Sequence, residues 1–216
     1  MAESGLQAVP LDVVKGMPGS VSLTFDDGYC NFRDHALPLL VRHRLPATLF
    51  VVSGYCGRTR GWRSQAQPAY EQPLLSWEEL REIADAGVTI GAHTVHHYNL
   101  ISLPEEQVVR EMHDCRIEIE DRIGRPVNAV AYPYGFSNAR IRQLAEQEFQ
   151  IACGTRLALV NENSDSFDLP RIFDFYLRSP FWLGRLNRPD GRAYIAIRKW
   201  VSAGRDMFRF RSPACI

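Results

Sequence analysis

At 216 residues, 45% hydrophobic and 23% charged, the chain has the make-up of one folded domain, or one with an appendage, able to bury a single substantial core. Its 25 basic and 25 acidic residues cancel, which removes any overall electrostatic case for nucleic acid as a partner. No stretch is long and apolar enough to suggest a membrane-spanning helix.

Strand and helix patterns alternate along the chain. "SVSLTF" (20–25) reads as a first strand, and "FRDHALPLLVRHR" (32–44) has helical spacing that Pro38 should bend or shorten. "ATLFVV" (47–52) is a second strand, followed by a long loop from Ser53 to about Leu75 that contains Trp62 and Tyr70. Ser76 and Glu79 have capping-box spacing, so a helix should run from about Trp77 to Ala86 and end at Gly87. "VTIGA" (88–92) is a third strand. Ser102 and Glu105 repeat the capping-box spacing ahead of a helix that continues to about Ile123, with Pro104 in its first turn. "VNAVAY" (127–132), a helix over 138–148, "FQIACG" (149–154) and "LPRIFDF" (169–175) complete the alternation with a fourth, fifth and sixth strand. Such a β-α series predicts an α/β fold with a mostly parallel sheet covered by helices.

In that kind of fold the chemistry collects at the carboxyl ends of strands. Three motifs of this chain fall there. Asp26 and Asp27 end the first strand, His93, His96 and His97 follow the third, and "YPYG" (132–135) follows the fourth. Adjacent carboxylates repel, and burial makes both costlier to ionise, so a cation that neutralises one of them is the physical answer. His93 and His97, four apart, can aim at one point from a helical turn or from a compact loop. With Asp27 they make two imidazoles and a carboxylate, a ligand set that leaves room for water. A divalent ion there lowers the pKa of water from about 15.7 to about 7. Asp26 is then placed to act as general base. His96 reads as a partly exposed neighbour. The Pro-aromatic-Gly turn is either a plain tight turn or a device presenting the backbone N–H of Tyr134 to a developing oxyanion.

With TFDDG, HTVHH and YPYG in this order, the sequence resembles the polysaccharide deacetylase family, the NodB-homology group also called carbohydrate esterase family 4, over roughly residues 20–175. The resemblance implies a distorted, incomplete (β/α) barrel and removal of acetyl groups from glycans. It implies Asp26 as catalytic base, Asp27, His93 and His97 as ligands, and one divalent metal ion, usually zinc, with cobalt or nickel as substitutes. Two departures stand out. The family's Arg two residues before the Pro of the third motif is Ala131 here, and no histidine follows His113 to supply the family's late general acid. The late "LPRI" and the "AYPYG" turn are similar to the exopolysaccharide subgroup, so Arg171 is expected to take the missing arginine's place beside Asp26.

For substrate contacts the candidates are Tyr29, Trp62, Pro133 and Tyr134, with Trp62 equally readable as an anchor that packs the loop. The expected partner is an N-acetylated glycan or a lipid-linked glycan precursor. Other readings on the same fold are deformylation of a lipid-linked sugar, hydrolysis of a cyclic amide, or a silent carbohydrate-binding module. The catalytic domain is expected over 1–177, with 178–216 as a basic, aromatic extension. That extension holds eight arginines and one lysine against two aspartates, a local net charge of +7. A closing element of the barrel, a peripheral membrane contact and a grip on an acidic glycan all suit it. The five scattered cysteines without a CxxC pair fit a reducing compartment. The start of the chain lacks a basic, apolar secretory pattern. Both lead to the expectation of a cytoplasmic protein, working in solution or at the inner membrane surface.

Overall fold

The computed structural model describes residues 5–62 and 72–209, with side chains described as far as Val201. Tyr70, Cys215 and the end of the basic extension lie outside the described residues. A five-stranded parallel sheet forms the centre, made of β3 (Leu23–Phe25), β4 (Ala47–Val51), β5 (Thr89–Ala92), β6 (Ala129–Ala131) and β7 (Ile151–Cys153), ordered as in the chain. Because strand order never reverses, every crossover steps the same way. The sheet therefore curls into a half-barrel with its helices on the outside, instead of winding to both sides of a switch point. The crossovers carry α1 (Leu37–His43), α2 (Trp77–Asp85), α3 (Glu105–Ile123) and α4 (Ala139–Glu148).

Side chains alternate between two cores, as strand geometry requires. Leu49, Val51, Val130 and Ala152 face the helices, where Leu80, Met112, Ile119 and Ile141 are fully buried. Phe50, Ala129, Ala131, Ile151 and Cys153 face the hollow of the half-barrel and meet Leu11 from an N-terminal 3-10 turn. A Cβ on Gly91 would lie 2.5 Å from Phe50 Cδ1, so only glycine lets that ring cross the central strand.

Local signals explain most boundaries. Ser76 Oγ accepts from Glu79 N at 3.2 Å and Glu79 Oε2 accepts from Ser76 N at 2.7 Å, a complete capping box. The second expected box does not form. Pro104 occupies the N-cap of α3 and Ser102 Oγ donates instead to Asn99 O. Pro38 has its effect: residues Phe32–Ala36 form a π-helical turn before α1, which absorbs the missing N–H. The expected first strand divides at Ser22. Its first half, β2 (Ser20–Val21), pairs in parallel with β1 (Gln7–Ala8), and only β3 joins the main sheet. The expected sixth strand shrinks to a single bridge, Leu169 with Cys153, because Pro170 cannot donate to a ladder.

The C-terminal region adds α5 (Pro180–Leu183) and α6 (Pro189–Arg209). They pack on the body through Leu157, Tyr176, Leu186 and Ile195, with Trp182 stacked on Tyr194 at 4.1 Å. Among the described residues, no helix is long and apolar enough to cross a membrane.

Candidate active site

The carboxyl end of β3 turns sharply, since Asp27 and Gly28 both lie in the left-handed region at φ 73° and 78°. A Cβ at Gly28 would sit 3.2 Å from Val51 Cγ1. The loop after β5 is similarly bent, with Thr94 at φ 66° and His97 at φ 58°. His97 N donates to Thr94 Oγ1 at 3.0 Å, and Ser53 N and Gly54 N donate to Thr94 O and Val95 O. Of the five non-glycine residues at positive φ among the described residues, four (Asp27, Thr94, His97, Tyr134) surround one point, and only Arg44 lies elsewhere, at the end of α1. Each costs roughly 1–3 kcal/mol, a strain that neighbouring contacts must hold in place.

Asp27 Oδ1 lies 3.4 Å from His93 Nε2 and 3.4 Å from His97 Nε2. The three ligand atoms fall within 4.8 Å of one another, in a compact loop and not a helical turn. His93 Nδ1 sits 2.7 Å from Ala131 O, so Nδ1 donates to that carbonyl and Nε2 is the nitrogen left facing Asp27. Burial, then the charge of His93, pushes His97 down to about 3. Burial works against a charge on His93 too, but Asp27 and Asp26 outweigh it and raise its pKa. Two imidazoles facing one carboxylate thus share a place for a single positive charge. Two nitrogen donors and one oxygen donor fit a divalent transition ion better than magnesium or calcium, which prefer all-oxygen sites.

Asp26 points elsewhere. Arg171 Nη1 and Nη2 donate to its two oxygens at 2.6 and 2.8 Å, a bidentate pair. Arg171 Nε is anchored on Gly154 O at 2.8 Å, just past β7. Burial alone would raise the Asp26 pKa, but the Arg171 guanidinium, and after it His93, holds it below the usual carboxylate range. The turn after β6 lifts Tyr134 at φ 59°, its ring centroid 4.7 Å from that of His97. Gly135 makes the turn possible: at φ 72°, a Cβ there would meet Thr155 Oγ1 at 2.0 Å.

A family model described as polysaccharide deacetylase matches residues 14–149, more than half of the chain. The chain belongs to the polysaccharide deacetylase family. Among its relatives is YxkH of Bacillus subtilis, 26% identical over 153 residues, which cover 70% of this chain and 50% of that protein. The poly-beta-1,6-N-acetyl-D-glucosamine N-deacetylase of Staphylococcus aureus is 22% identical over 163 residues, 71% of this chain and 53% of that one. The chain therefore spans about half the length of the relatives it matches. Among solved structures, IcaB from Ammonifex degensii superimposes with a TM-score of 0.70 at 22% identity, covering 90% of this chain and 84% of that one, which establishes the shared fold.

Around this deacetylase-family centre two expected substrate contacts need correction. Trp62 is only 9% exposed and stacks on His97 at 4.7 Å, with Tyr55 against it at 5.2 Å. It is a loop anchor packed against His97, not a platform open to sugar. Pro133 is buried and shapes the turn without offering a surface. Tyr29 is half-buried, and its hydroxyl accepts from Arg60 Nη1 at 3.3 Å. Burial, then Asp27, raises its pKa and keeps it a neutral phenol. Arg60 and Glu111 carried no signal in the sequence. Glu111, buried on α3, accepts from His96 N at 2.9 Å and meets His96 Nδ1 at 2.6 Å, so it pins the histidine loop from behind.

Proposed function

We propose that the chain is a metal-dependent N-deacetylase of an N-acetylated, exopolysaccharide-type glycan. The observation that carries this reading is the pairing of an ionised Asp26, forked by Arg171, with the separate Asp27–His93–His97 cluster beside it. A divalent ion held by those three, zinc with cobalt or nickel as substitutes, supplies Lewis acidity toward water and the amide carbonyl. Asp26 takes a proton from the attacking water. Its second lone pairs remain available although Arg171 occupies both oxygens. As the C–N bond breaks, acetate leaves and the amine nitrogen gains a proton, returned by Asp26. This fills the role left vacant by the absence of a histidine after His113. Arg171 is a positioning residue: it keeps Asp26 anionic and fixes its plane.

The main chain of Tyr134 is assigned to the carbonyl oxygen and its half-exposed ring to the sugar, with Tyr29 as a second substrate contact. The name of the S. aureus relative supports a β-1,6-linked N-acetylglucosamine polymer as the substrate class. The test is acetate release from β-1,6- and β-1,4-linked N-acetylglucosamine oligomers, run beside formylated sugars and cyclic amides. Acetate from the β-1,6 series, lost in Asp26→Asn, is the expected result. Turnover confined to the formyl or cyclic substrates, or full activity in Asp26→Asn, contradicts the proposal.

A further inference from the structure

Helix α6 has two apolar faces, and the body uses only one. Its inner side turns Ile195, 2% exposed, onto Tyr176 and Leu186, and Arg198 lies over the Tyr176 ring at 5.0 Å. Its outer side carries Ala193, Ile197, Trp200 and Val201, spaced i, i+4, i+7 and i+8. These four span an arc of about 100° on the helix circumference. All four are exposed, Ile197 at 63% and Trp200 at 85%. Arg192 and Lys199, both exposed, run along one flank of this stripe. The region from Arg178 on carries a net charge of +7 in a chain whose total is zero.

We infer that this outer face of α6 docks on an anionic lipid surface, with the Ile197–Trp200–Val201 stripe entering the headgroup boundary and the flanking cations meeting lipid phosphates. Trp in that zone, with Arg and Lys beside it, suits the chemistry of an interface. A second copy of the chain would cover the stripe without drawing on the excess of cations in this region. An acidic glycan would answer the charge but gives no reason for an aliphatic stripe. None of the stripe or flanking residues belongs to the Asp26–Arg171 pair or the Asp27–His93–His97 cluster, so the docking does not depend on that activity.

The experiment is co-sedimentation of the full chain with phosphatidylcholine vesicles, alone or with phosphatidylglycerol, at low and high salt. Binding at least about tenfold stronger to the anionic vesicles, and weakened by salt, is expected. The double variant Ile197→Ser/Trp200→Ala should lose about tenfold in partitioning while keeping its thermal midpoint, because both side chains are exposed. A blue shift of tryptophan emission on binding should vanish in Trp200→Phe. Equal sedimentation of wild type and double variant, or of neutral and anionic vesicles, overturns the inference. So does a dimer in analytical ultracentrifugation that the double variant abolishes, which gives the face to a second copy.

Discussion

Arg171 and Asp26 depend on each other, because removing either leaves the other partly buried and charged. Arg171→Gln should cost about 3 kcal/mol of stability, the low end for a broken buried pair, since Asp26 keeps 31% side-chain exposure. Arg171→Lys keeps the charge but loses the fork, so acetate release should fall between wild type and Arg171→Gln. Asp26→Asn should lower kcat by about 10²- to 10⁴-fold, the range of a lost general base. At this scale the sequence was most informative where chemistry sits next to a strand end. Asp26, Asp27, His93 and His97 come together as their spacing suggested, and Arg171 comes to Asp26 as the late LPRI resemblance implied. Arg60 and Glu111 were illegible because neither lies in a motif; each reaches the site from a loop or helix whose approach only the fold determines. Trp62 could not be assigned because an exposed platform and a buried anchor have the same composition.

Elements hold these side chains through a few backbone devices, and those can be broken separately. Gly135→Ala should collapse the Tyr134 turn and reduce activity more than stability, since Thr155 is exposed enough to shift while the rim moves. Ser76→Ala should cost about 1 kcal/mol through loss of the α2 cap. Glu148 of α4 joins α3 through His113 and Arg116, both at 3.0 Å. Burial tends to raise the Glu148 pKa, but His113 and Arg116 overcome it, so the folded value is lowered. Its stabilising contribution is therefore present above the unfolded pKa of about 4.3 and lost as pH falls through the folded value. Glu148→Gln should cost about 0.5 kcal/mol at pH 7, after solvent screening, and the difference should disappear in strong acid. Equilibrium unfolding at several pH values checks this. Element type was legible wherever periodicity was undisturbed, and the expected detail failed at prolines: Pro104 took the cap of a helix that forms as expected, and Pro170 reduced an expected strand to one bridge.

For the molecule as a whole, strand order carries most of the meaning. Five parallel strands in chain order put four loop sets on one rim, so residues 26, 93, 134 and 171 converge although they span most of the chain. The alternation of strands and helices made that architecture readable in advance, whereas the side on which the extension packs depends on the satellite cluster around Tyr176 and had no local signal. An ion bound only by the folded state must stabilise it. At about 100 times its Kd, zinc should add about 2.7 kcal/mol, or roughly 5–10 °C in Tm for a domain of this size. The most direct test strips the protein with chelator, reloads it with zinc, desalts it and measures metal per chain for wild type, Asp26→Asn and Asp27→Ala side by side. One zinc per chain in the first two and none in the third is the predicted result; a zinc-free wild type, or an Asp27→Ala protein that still holds its ion, would contradict the assignment of adjacent aspartates to separate tasks.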